Sequence, residues 1–230
     1  EQPSGLGWDT QGDLLIVSMR NQKLLRYSNG KLLEHADLSE YSNYWCNDMV
    51  VDNTGGAYVG NFGFNRHAGE KPKPTTLVRV SPSGEVSIAA EDLWFPNGAV
   101  ITPDGSTLII AETRANRLTA FDILQDGKLE NRRVFAETEN MYPDGICLDE
   151  EGAVWVADPQ NKEVIRIKEG GEITEKLELG ARGAYACMLG GNDGKTLFVC
   201  TNSGSGPEIA SQKSGKIETT RVKIAKAGRP

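Results

Sequence analysis

Three polar residues with oxygen-bearing side chains recur at one position of a repeated sequence pattern. Asn47, Asn97 and Asp144 each stand eight residues before a glycine that closes a turn. Amide and carboxylate oxygens are ligands that Ca²⁺, Mg²⁺ and Mn²⁺ prefer. A cation held by such groups can polarise a carbonyl group and activate a water molecule. The spacing is therefore compatible with a divalent-cation site, provided that the fold brings the three side chains together.

The repeated pattern is a turn that ends in glycine and is followed by an apolar strand. These turns lie roughly 40 to 50 residues apart and end at Gly12, Gly55, Gly105, Gly152 and Gly194. A short apolar strand precedes each turn, and most units continue into a third and a fourth strand. Four antiparallel strands per unit at this period are typical of a propeller blade. The sequence therefore predicts an all-β fold, a β-propeller of four-stranded blades with five visible repeats, as a single domain over residues 1–230.

In a propeller, the first strand of every blade lines the central channel, so one register position of that strand forms a ring at one mouth. Counting back from the five glycines places this ring at Ser4, Asn47, Asn97, Asp144 and Ala186. Asn-Gly and Asp-Gly are also frequent turn dipeptides. Asn97-Gly98 and Asp144-Gly145 could therefore serve only as turns at the start of their blades. Both interpretations are compatible with the sequence.

A second set of polar residues is expected around this ring. The second strand of each blade runs antiparallel to the first, so its end returns to the same mouth. These strand ends carry Asn61, Glu112, Asp158 and Thr201, with Arg20 and Arg114 just beyond two of them. We expect an outer polar wall, in which Glu112 and Asp158 are the stronger candidates for orienting a substrate. Ordinary solvation of strand ends is the alternative.

Five stretches carry the most specific motifs: CNDMVVD (46–52), FPNGAVITPDG (95–105), NRRV (131–134), YPDGICLD (142–149) and CMLGG (187–191). In this order they resemble the SMP-30/gluconolactonase/LRE-like family, and the resemblance extends over essentially the whole chain. It implies a six-bladed propeller with a divalent ion at one mouth. The family's ion is held by a Glu of the first repeat and by an Asn and an Asp that correspond to Asn97 and Asp144. Asn47 corresponds to an Asn that holds substrate or an inner-shell water.

Two departures from the family pattern affect these expectations. Family members usually open with a repeat bearing Glu-Gly-Pro, whereas residues 1–3 read Glu-Gln-Pro and resemble the start of the second repeat. We therefore expect an N-terminal blade segment, with its Glu ligand, ahead of this sequence; a five-bladed variant is the alternative. Sugar lactonases of the family also tend to carry an Arg where this chain has Trp45. That substitution disfavours an aldonolactone and favours a less polar substrate.

The leading prediction is a divalent-metal-dependent hydrolase that opens a lactone ring. Asn97 and Asp144 are the predicted metal ligands, and Asp144 is also the predicted catalytic base. Ca²⁺ is the expected ion, with Mg²⁺, Mn²⁺, Zn²⁺ or Fe²⁺ as alternatives. The predicted substrate-binding residues are Asn47, Glu112, Asp158, Asn61 and Trp45. Two alternatives are an aryl-esterase or phosphotriesterase activity at the same site, and a non-catalytic propeller that binds a small molecule or a protein.

Composition narrows the classes of partner. A net charge of −7 and a pI near 5.0 disfavour nucleic acid and anionic membranes, which select basic surfaces. The expected partner is a small-molecule lactone or ester, as the family resemblance implies. Four cysteines without a CxxC pair predict buried free thiols and a reducing cytoplasm. No GxSxG elbow is present, and His35 and His67 lie in polar stretches, where surface positions are expected.

Overall fold

A computed structural model describes residues 2–228, apart from the side chains of His67 and Pro207. Five antiparallel sheets lie within this part of the chain, and each is one propeller blade. In every blade the strands follow one another in chain order across the sheet; the fifth blade has three strands among the described residues and the others have four. The predicted all-β propeller with five repeats is confirmed. The expected sixth blade is not confirmed, because five sheets account for the strands described.

The strands fall into groups by their position in the blade, from the channel outward. The first strands pack side by side around the channel and are β1 (Pro3–Trp8), β5 (Cys46–Val51), β9 (Pro96–Ile101), β13 (Ile146–Leu148) and β17 (Gly183–Gly190). The second strands are β2 (Leu14–Ser18), β6 (Ala57–Asn61), β10 (Thr107–Glu112), β14 (Val154–Asp158) and β18 (Thr196–Asn202). The third strands are β3 (Lys23–Ser28), β7 (Thr75–Val80), β11 (Arg117–Ile123), β15 (Glu163–Ile167) and β19 (Lys216–Arg221). The outermost strands are β4 (Lys31–Asp37), β8 (Val86–Leu93), β12 (Leu129–Glu137) and β16 (Ile173–Glu178). Two short helices interrupt this pattern, a 3-10 helix (Arg66–Ala68) after β6 and α1 (Pro207–Gln212) after β18.

The glycine-closed turns connect the first and second strand of each blade, as the spacing predicts. At the third blade, the amide of Gly105 donates to the carbonyl of Thr102 at 2.8 Å. Gly105 has φ = 74°, a conformation that residues with a Cβ rarely adopt. In the second blade, Asp52 accepts hydrogen bonds from the amides of Thr54 and Gly56, which closes the turn with a side chain. These local interactions explain why a turn of this kind recurs once per blade in the sequence.

The apolar core lies between adjacent blades. All five residues of β14 are buried, because a blade in the middle of the ring is covered on both faces. Val156 of this strand packs in one cluster with Ile109 of the third blade, whereas Trp155 packs with Leu197 of the fifth. Alternate side chains of one strand therefore join the fourth blade to both of its neighbours.

The first and fifth blades each leave one apolar sheet face uncovered. In β1, a Cβ on Gly7 would lie 2.5 Å from the side chain of Val51, so this side of the strand faces the second blade. The alternating Trp8 points the other way and is 53% exposed. In the fifth blade, Phe198 and Ile217 are 37% and 70% exposed. Among the described residues, the row of blades therefore ends in two apolar faces.

Three expectations from composition can be compared with the structure. The cysteines are free thiols, and Cys46, Cys147 and Cys187 are buried as predicted. The prediction of burial is wrong for Cys200, because the alternation of β18 turns its side chain to the uncovered face of the fifth blade. His35 is half-buried, and the side chain of His67 lies outside the described residues. Within residues 2–228, the helices are too short and too polar to cross a bilayer.

Candidate functional site

The ring positions lie at the start of the first strands, where the strand pairing is irregular. In β5, the three steps from Cys46 to Met49 face only two steps of β6. The same one-residue excess occurs in β9 between Pro96 and Ala99, and equivalent shifts occur in β1 and β17. A β-bulge of this kind reorients the inserted side chain and is frequent beside functional sites. Ser4, Asn47 and Asn97 lie within these bulges and are therefore released from the ordinary alternation of their strands.

The ring residues of the first three blades form one chain of hydrogen bonds. Ser4 Oγ donates to Asn47 Oδ1 at 3.4 Å, and Asn47 Nδ2 donates to Asn97 Oδ1 at 2.8 Å. Asn97 Nδ2 in turn donates to Thr113 Oγ1 at 3.1 Å. The chain ends where Thr113 Oγ1 donates to the carbonyl of Pro143 at 2.7 Å, one residue before the fourth ring position. Side chains that are far apart in sequence thus meet at one end of the channel.

The glycines that follow Asn97 and Asp144 serve close packing of the first strands. Neither Gly98 nor Gly145 has a positive φ, so neither forms a glycine-dependent turn. A Cβ on Gly98 would lie 2.6 Å from the backbone oxygen of Asp144, and one on Gly145 would lie 2.7 Å from Cα of Ala186. The interpretation of these dipeptides as simple turns therefore does not account for them. Ala186 supplies the fifth ring position without a polar side chain.

Two half-buried carboxylates, Asp144 and Asp48, belong to this end of the channel. Burial raises the pKa of Asp144 well above its usual value, and the nearby Asp48 carboxylate raises it further. Hydrogen bonding by Asn97 and the positive charge of Arg66 act in the opposite direction without cancelling the shift. Burial also raises the pKa of Asp48 to about 6. The site therefore holds a pair of desolvated carboxylates that would gain from a proton or a cation.

The sequence reasoning above did not select Asp48. Its position in the repeat corresponds to Gly5, Gly98 and Gly145 in three other blades. Those glycines are needed because the neighbouring first strand is in contact at that point. A carboxylate at a position where most blades require glycine was therefore the signal that could have identified it.

The residues at the ring are suited to a hard divalent cation. Asn97 Oδ1 accepts one hydrogen bond and keeps a second lone pair, while Asp144 and Asp48 supply carboxylate oxygens. Oxygen donors of this type match the preferences of Ca²⁺, Mg²⁺ and Mn²⁺. The described residues contain no cluster of three or more His, Cys, Asp or Glu side chains that could hold a metal ion. Any ion at the ring therefore depends on the amide of Asn97 as well as on carboxylates.

Glu112, expected in the outer polar wall, is completely buried and held inside its own blade. Its Oε1 accepts hydrogen bonds from Arg117 at 2.9 Å, from Arg132 at 3.1 Å and from Thr119. Its Oε2 accepts from the amide of Trp94 at 2.8 Å. Burial tends to raise the pKa of Glu112, but these hydrogen bonds and charges outweigh it and the net shift is downward. The carboxylate therefore ties strands together instead of facing the channel mouth.

Asp158 and Asn61 are also completely buried. Asp158 Oδ1 accepts from the amides of Gln160 and Asn161 at 2.8 and 3.1 Å, which closes the turn after β14. Asn61 Oδ1 accepts from Thr75 Oγ1 at 2.6 Å within the second blade. The polar atoms of all three strand-end residues are used inside their blades. The expectation that these residues orient a substrate stays a prediction, since the contacts seen here hold strands and turns together.

A pocket of about 400 Å³ opens beside the ring, between the first, second and fifth blades. Trp45 and Phe62 form its aromatic side, and Tyr185 lines it from the fifth blade. Two cationic residues, Arg20 and Arg66, also contribute to the lining. Arg66 and Tyr185, which line the pocket, interact electrostatically with Asp144, so the pocket adjoins the ring. The structure thus places a substrate-sized cavity next to the paired carboxylates.

The aromatic side of this pocket is part of a larger cluster of rings. Trp45 stacks on Tyr44 with centroids 5.0 Å apart, and Phe62 lies 6.3 Å from Trp45. Phe62 also meets Phe95 edge to face at 4.7 Å. Such contacts fix the ring orientations. Trp45 therefore presents a rigid aromatic surface to the pocket.

The fold and the ring of polar residues define the class of this protein: a β-propeller with a candidate active site at one mouth of its channel. The family model described as "SMP-30/Gluconolactonase/LRE-like region" matches residues 1–203. The chain belongs to this family.

Individual relatives agree with this assignment. A 6-deoxy-6-sulfogluconolactonase of Pseudomonas putida is 26% identical over 227 residues, which cover 94% of this chain and 75% of the relative. Regucalcin of Oryctolagus cuniculus is 29% identical over 179 residues, 73% of this chain and 58% of regucalcin. The solved structure of a calcium-binding protein, regucalcin from Agrobacterium tumefaciens, superimposes with a TM-score of 0.81 at 22% identity, covering 99% of this chain and 78% of that one. The chain thus spans about three quarters of the first relative and less than two thirds of the second.

Proposed function

We propose that this protein hydrolyses lactones, with a divalent cation held by Asn97 and Asp144 and with Asp48 as a further carboxylate beside them. The observation that carries the proposal is the pair of carboxylates next to the hydrogen-bonded row of Asn47 and Asn97. A bound divalent cation would polarise the lactone carbonyl and lower the pKa of a water molecule. The name of the Pseudomonas putida relative supports a lactone as substrate. The description of the Agrobacterium tumefaciens homologue supports Ca²⁺ as the ion.

Asp144 is the proposed general base and then the general acid. Its carboxylate accepts a proton from the attacking water while the water oxygen bonds to the carbonyl carbon. The bond from that carbon to the ring oxygen then breaks, and Asp144 returns the proton to the departing ring oxygen. Burial and the neighbouring Asp48 charge raise the pKa of Asp144 in the protein without an ion, so this carboxylate gains from accepting a proton or from a nearby cation. Each turnover consumes one lactone and one water molecule and yields one hydroxy acid.

Asn47 is the proposed substrate-positioning residue. An amide NH₂ group has two hydrogen-bond donors, and Asn47 uses one of them for Asn97 Oδ1. The second donor can bind an oxygen of the lactone. Because the Asn47 side chain is already held by this bond and by Ser4, orienting the substrate costs little side-chain freedom.

The proposal is tested by measuring the acid released as glucono-δ-lactone and δ-valerolactone are hydrolysed. We expect turnover that is lost after treatment with a chelator and restored by added Ca²⁺. Asp144→Asn and Asn97→Ala should each lower kcat/KM by about 100-fold or more. Asp126→Asn, an exposed carboxylate in the turn before β12, is the matched control and should retain activity. Full activity after chelation would exclude the metal, and full activity of Asp144→Asn would exclude the proposed base.

An aryl-ester hydrolase is the second candidate, because Trp45 and Phe62 give the pocket an aromatic wall. An aromatic acyl or leaving group would pack against this wall with favourable offset or edge-to-face geometry. Comparison of kcat/KM for phenyl acetate and δ-valerolactone separates the two activities. Trp45→Leu should reduce phenyl acetate hydrolysis more than lactone hydrolysis if the aryl ester is the better substrate. An equal reduction would favour the lactone.

A further inference from the structure

The charge of the pocket beside the ring is opposite to the charge of the whole protein. The chain carries 32 acidic and 25 basic residues. Among the described residues that line the pocket, however, two are arginines and none is an aspartate or glutamate. Arg20 lies two residues after β2 in the first blade, and Arg66 comes from the 3-10 helix of the second blade. Two guanidinium groups that share one cavity repel each other. An anion bound between them would offset this repulsion by attracting both.

Arg66 is held at the pocket by the structure of its loop. Asn65 caps the 3-10 helix by accepting a hydrogen bond from the amide of Ala68 at 3.0 Å. Glu70 accepts from the amide of Asn65 at 2.7 Å, so its carboxylate is occupied with the loop backbone and with Lys73. Among the described side chains, no carboxylate forms an ion pair with Arg66, whose charge acts on Asp144 and on Tyr185 across the pocket. The guanidinium group is therefore directed to the cavity with its donors available.

Arg20 lies against the aromatic side of the same cavity. Its guanidinium carbon is 4.7 Å from the centroid of the Trp45 ring, in cation–π contact. This contact fixes the plane of the guanidinium group while leaving its edge donors free of the ring. A planar fork of donors matches the oxygen atoms of a sulfonate, phosphate or carboxylate group.

Asn202 supplies a neutral donor from the fifth blade. Its Oδ1 accepts hydrogen bonds from the amide of Ser203 at 2.8 Å and from Ser214 Oγ at 2.6 Å. These two bonds fix which edge of the amide group faces the cavity. Its Nδ2 has no acceptor among the described residues, although Asn202 lines the pocket. Three sides of the pocket therefore offer hydrogen-bond donors to one occupant.

We infer that the pocket binds a negatively charged substituent of the substrate, held by Arg66, Arg20 and Asn202. The substrate class is then a lactone that carries a sulfonate, phosphate or carboxylate group away from its reacting carbonyl. The body of such a substrate lies against Trp45 and Phe62, and its carbonyl reaches the ring of Asn97 and Asp144. This inference rests on the proposed lactonase function, since it names the substrate class of the same site.

The test compares three δ-valerolactones that differ in one substituent: hydroxymethyl, sulfonatomethyl or phosphonomethyl. We expect the two anionic lactones to have a kcat/KM about 10- to 100-fold higher than the neutral one, the range for charge-assisted hydrogen bonds. The sulfonate and phosphonate forms distinguish recognition of a singly charged group from recognition of a doubly charged one. Added salt should reduce the preference, because the pocket is open to solvent.

Arg66→Met is the diagnostic variant, and Lys71→Met is its matched control. Lys71 is exposed on the same loop and does not line the pocket, so both variants remove one positive charge from one region of the surface. Arg66→Met should bring the ratio of anionic to neutral kcat/KM close to one, mainly through KM. Lys71→Met should leave that ratio as it is in the original protein. Arg20→Met should lower the ratio by an intermediate amount.

Two results would overturn the inference while the lactonase function stands. One is a ratio near one in the original protein, and the other is an equal effect of Arg66→Met and Lys71→Met. If none of the three lactones is hydrolysed, the proposed function fails, and calorimetric binding of the corresponding δ-valerolactams decides the inference. Tighter binding of the sulfonatomethyl lactam, lost in Arg66→Met, would support the anion site. Equal binding of the sulfonatomethyl and hydroxymethyl lactams would reject it.

Discussion

Asn47 Nδ2 donates to Asn97 Oδ1 at 2.8 Å, so the amide groups of two neighbouring blades are joined across the mouth of the channel. Both residues are buried, and both lie at β-bulges of their first strands. The bond fixes the orientation of the Asn97 amide, and it leaves one donor of Asn47 for a substrate. The relative placement of two blades is therefore coupled directly to the geometry of the candidate active site.

Asn47→Ala should reduce lactone hydrolysis about 10-fold. The substitution removes a substrate donor and also frees the Asn97 amide to rotate, and a hydrogen bond of this type contributes about 1 to 1.5 kcal/mol. The measurement is kcat/KM for δ-valerolactone. Asn192→Ala, an exposed residue in the turn before β18, is the control and should behave like the original protein. Equal rates for Asn47→Ala and Asn192→Ala would show that the amide pair has no part in the reaction.

Calcium should stabilise the folded protein if Asn97 and Asp144 hold the ion. A ligand present at 100 times its dissociation constant stabilises the native state by about 2.7 kcal/mol, which raises Tm by several degrees. Calorimetric scans with Ca²⁺ and with a chelator measure this shift without any substrate. Asp144→Asn should abolish the calcium-dependent shift, whereas Asp126→Asn should preserve it. An unchanged Tm for the original protein in both solutions would contradict calcium binding at the ring.

Glu112→Gln should destabilise the protein by about 2 to 3 kcal/mol at neutral pH, because hydrogen bonds to a charged group contribute that much. The pKa of Glu112 is lowered in the folded state, so its carboxylate stabilises the fold above the unfolded-state pKa. This contribution is lost as the pH falls through the folded-state pKa. Urea unfolding at several pH values should therefore show the difference between original and variant shrinking toward acid. Glu130→Gln, an exposed carboxylate on β12, is expected to show little difference at any pH.

Gly98→Ala should destabilise the protein by about 1 to 3 kcal/mol and reduce hydrolysis together with stability. The added Cβ would lie 2.6 Å from the Asp144 carbonyl oxygen and 2.6 Å from the amide nitrogen of Ile146, so two first strands must separate. Movement of the Asp144 backbone displaces the proposed base. Gly215→Ala has open space around the new methyl group and is the control. Normal stability and normal activity of Gly98→Ala would show that the strands can separate without consequence.

The blades and the ring register could be predicted from the sequence because both depend on short-range interactions. A glycine-closed turn such as that ending at Gly105 is stabilised within a few residues of chain. Each turn fixes the register of the first strand relative to the second, and counting from it led to Asn47 and Asn97, whose side chains are hydrogen-bonded to each other. The exposure of Cys200 was missed because it depends on which blade face a neighbouring blade covers.

The outer wall shows the limit of counting along the chain. Glu112 lies at the expected strand end, but its side chain turns inward because Arg117 of β11 and Arg132 of β12 reach it. The packing of strands within the blade determines which arginines contact this carboxylate. Residue type and position in the repeat do not distinguish a carboxylate that binds a substrate from one that binds an arginine. The buried, hydrogen-bonded state of Glu112 is therefore a tertiary result.

The sequence by itself identifies an all-β propeller of repeated blades in the SMP-30/gluconolactonase/LRE-like family. It also places Asn47, Asn97 and Asp144 at equivalent positions of the repeat. Turn formation and strand alternation depend on residues close together in the chain, so both can be predicted from the sequence. Only the tertiary structure decided that Asp48 joins Asp144 and that Arg66 enters the adjoining pocket. A bulge and a loop bring these groups together across blades, and through-space distances of that kind have no fixed spacing along the chain.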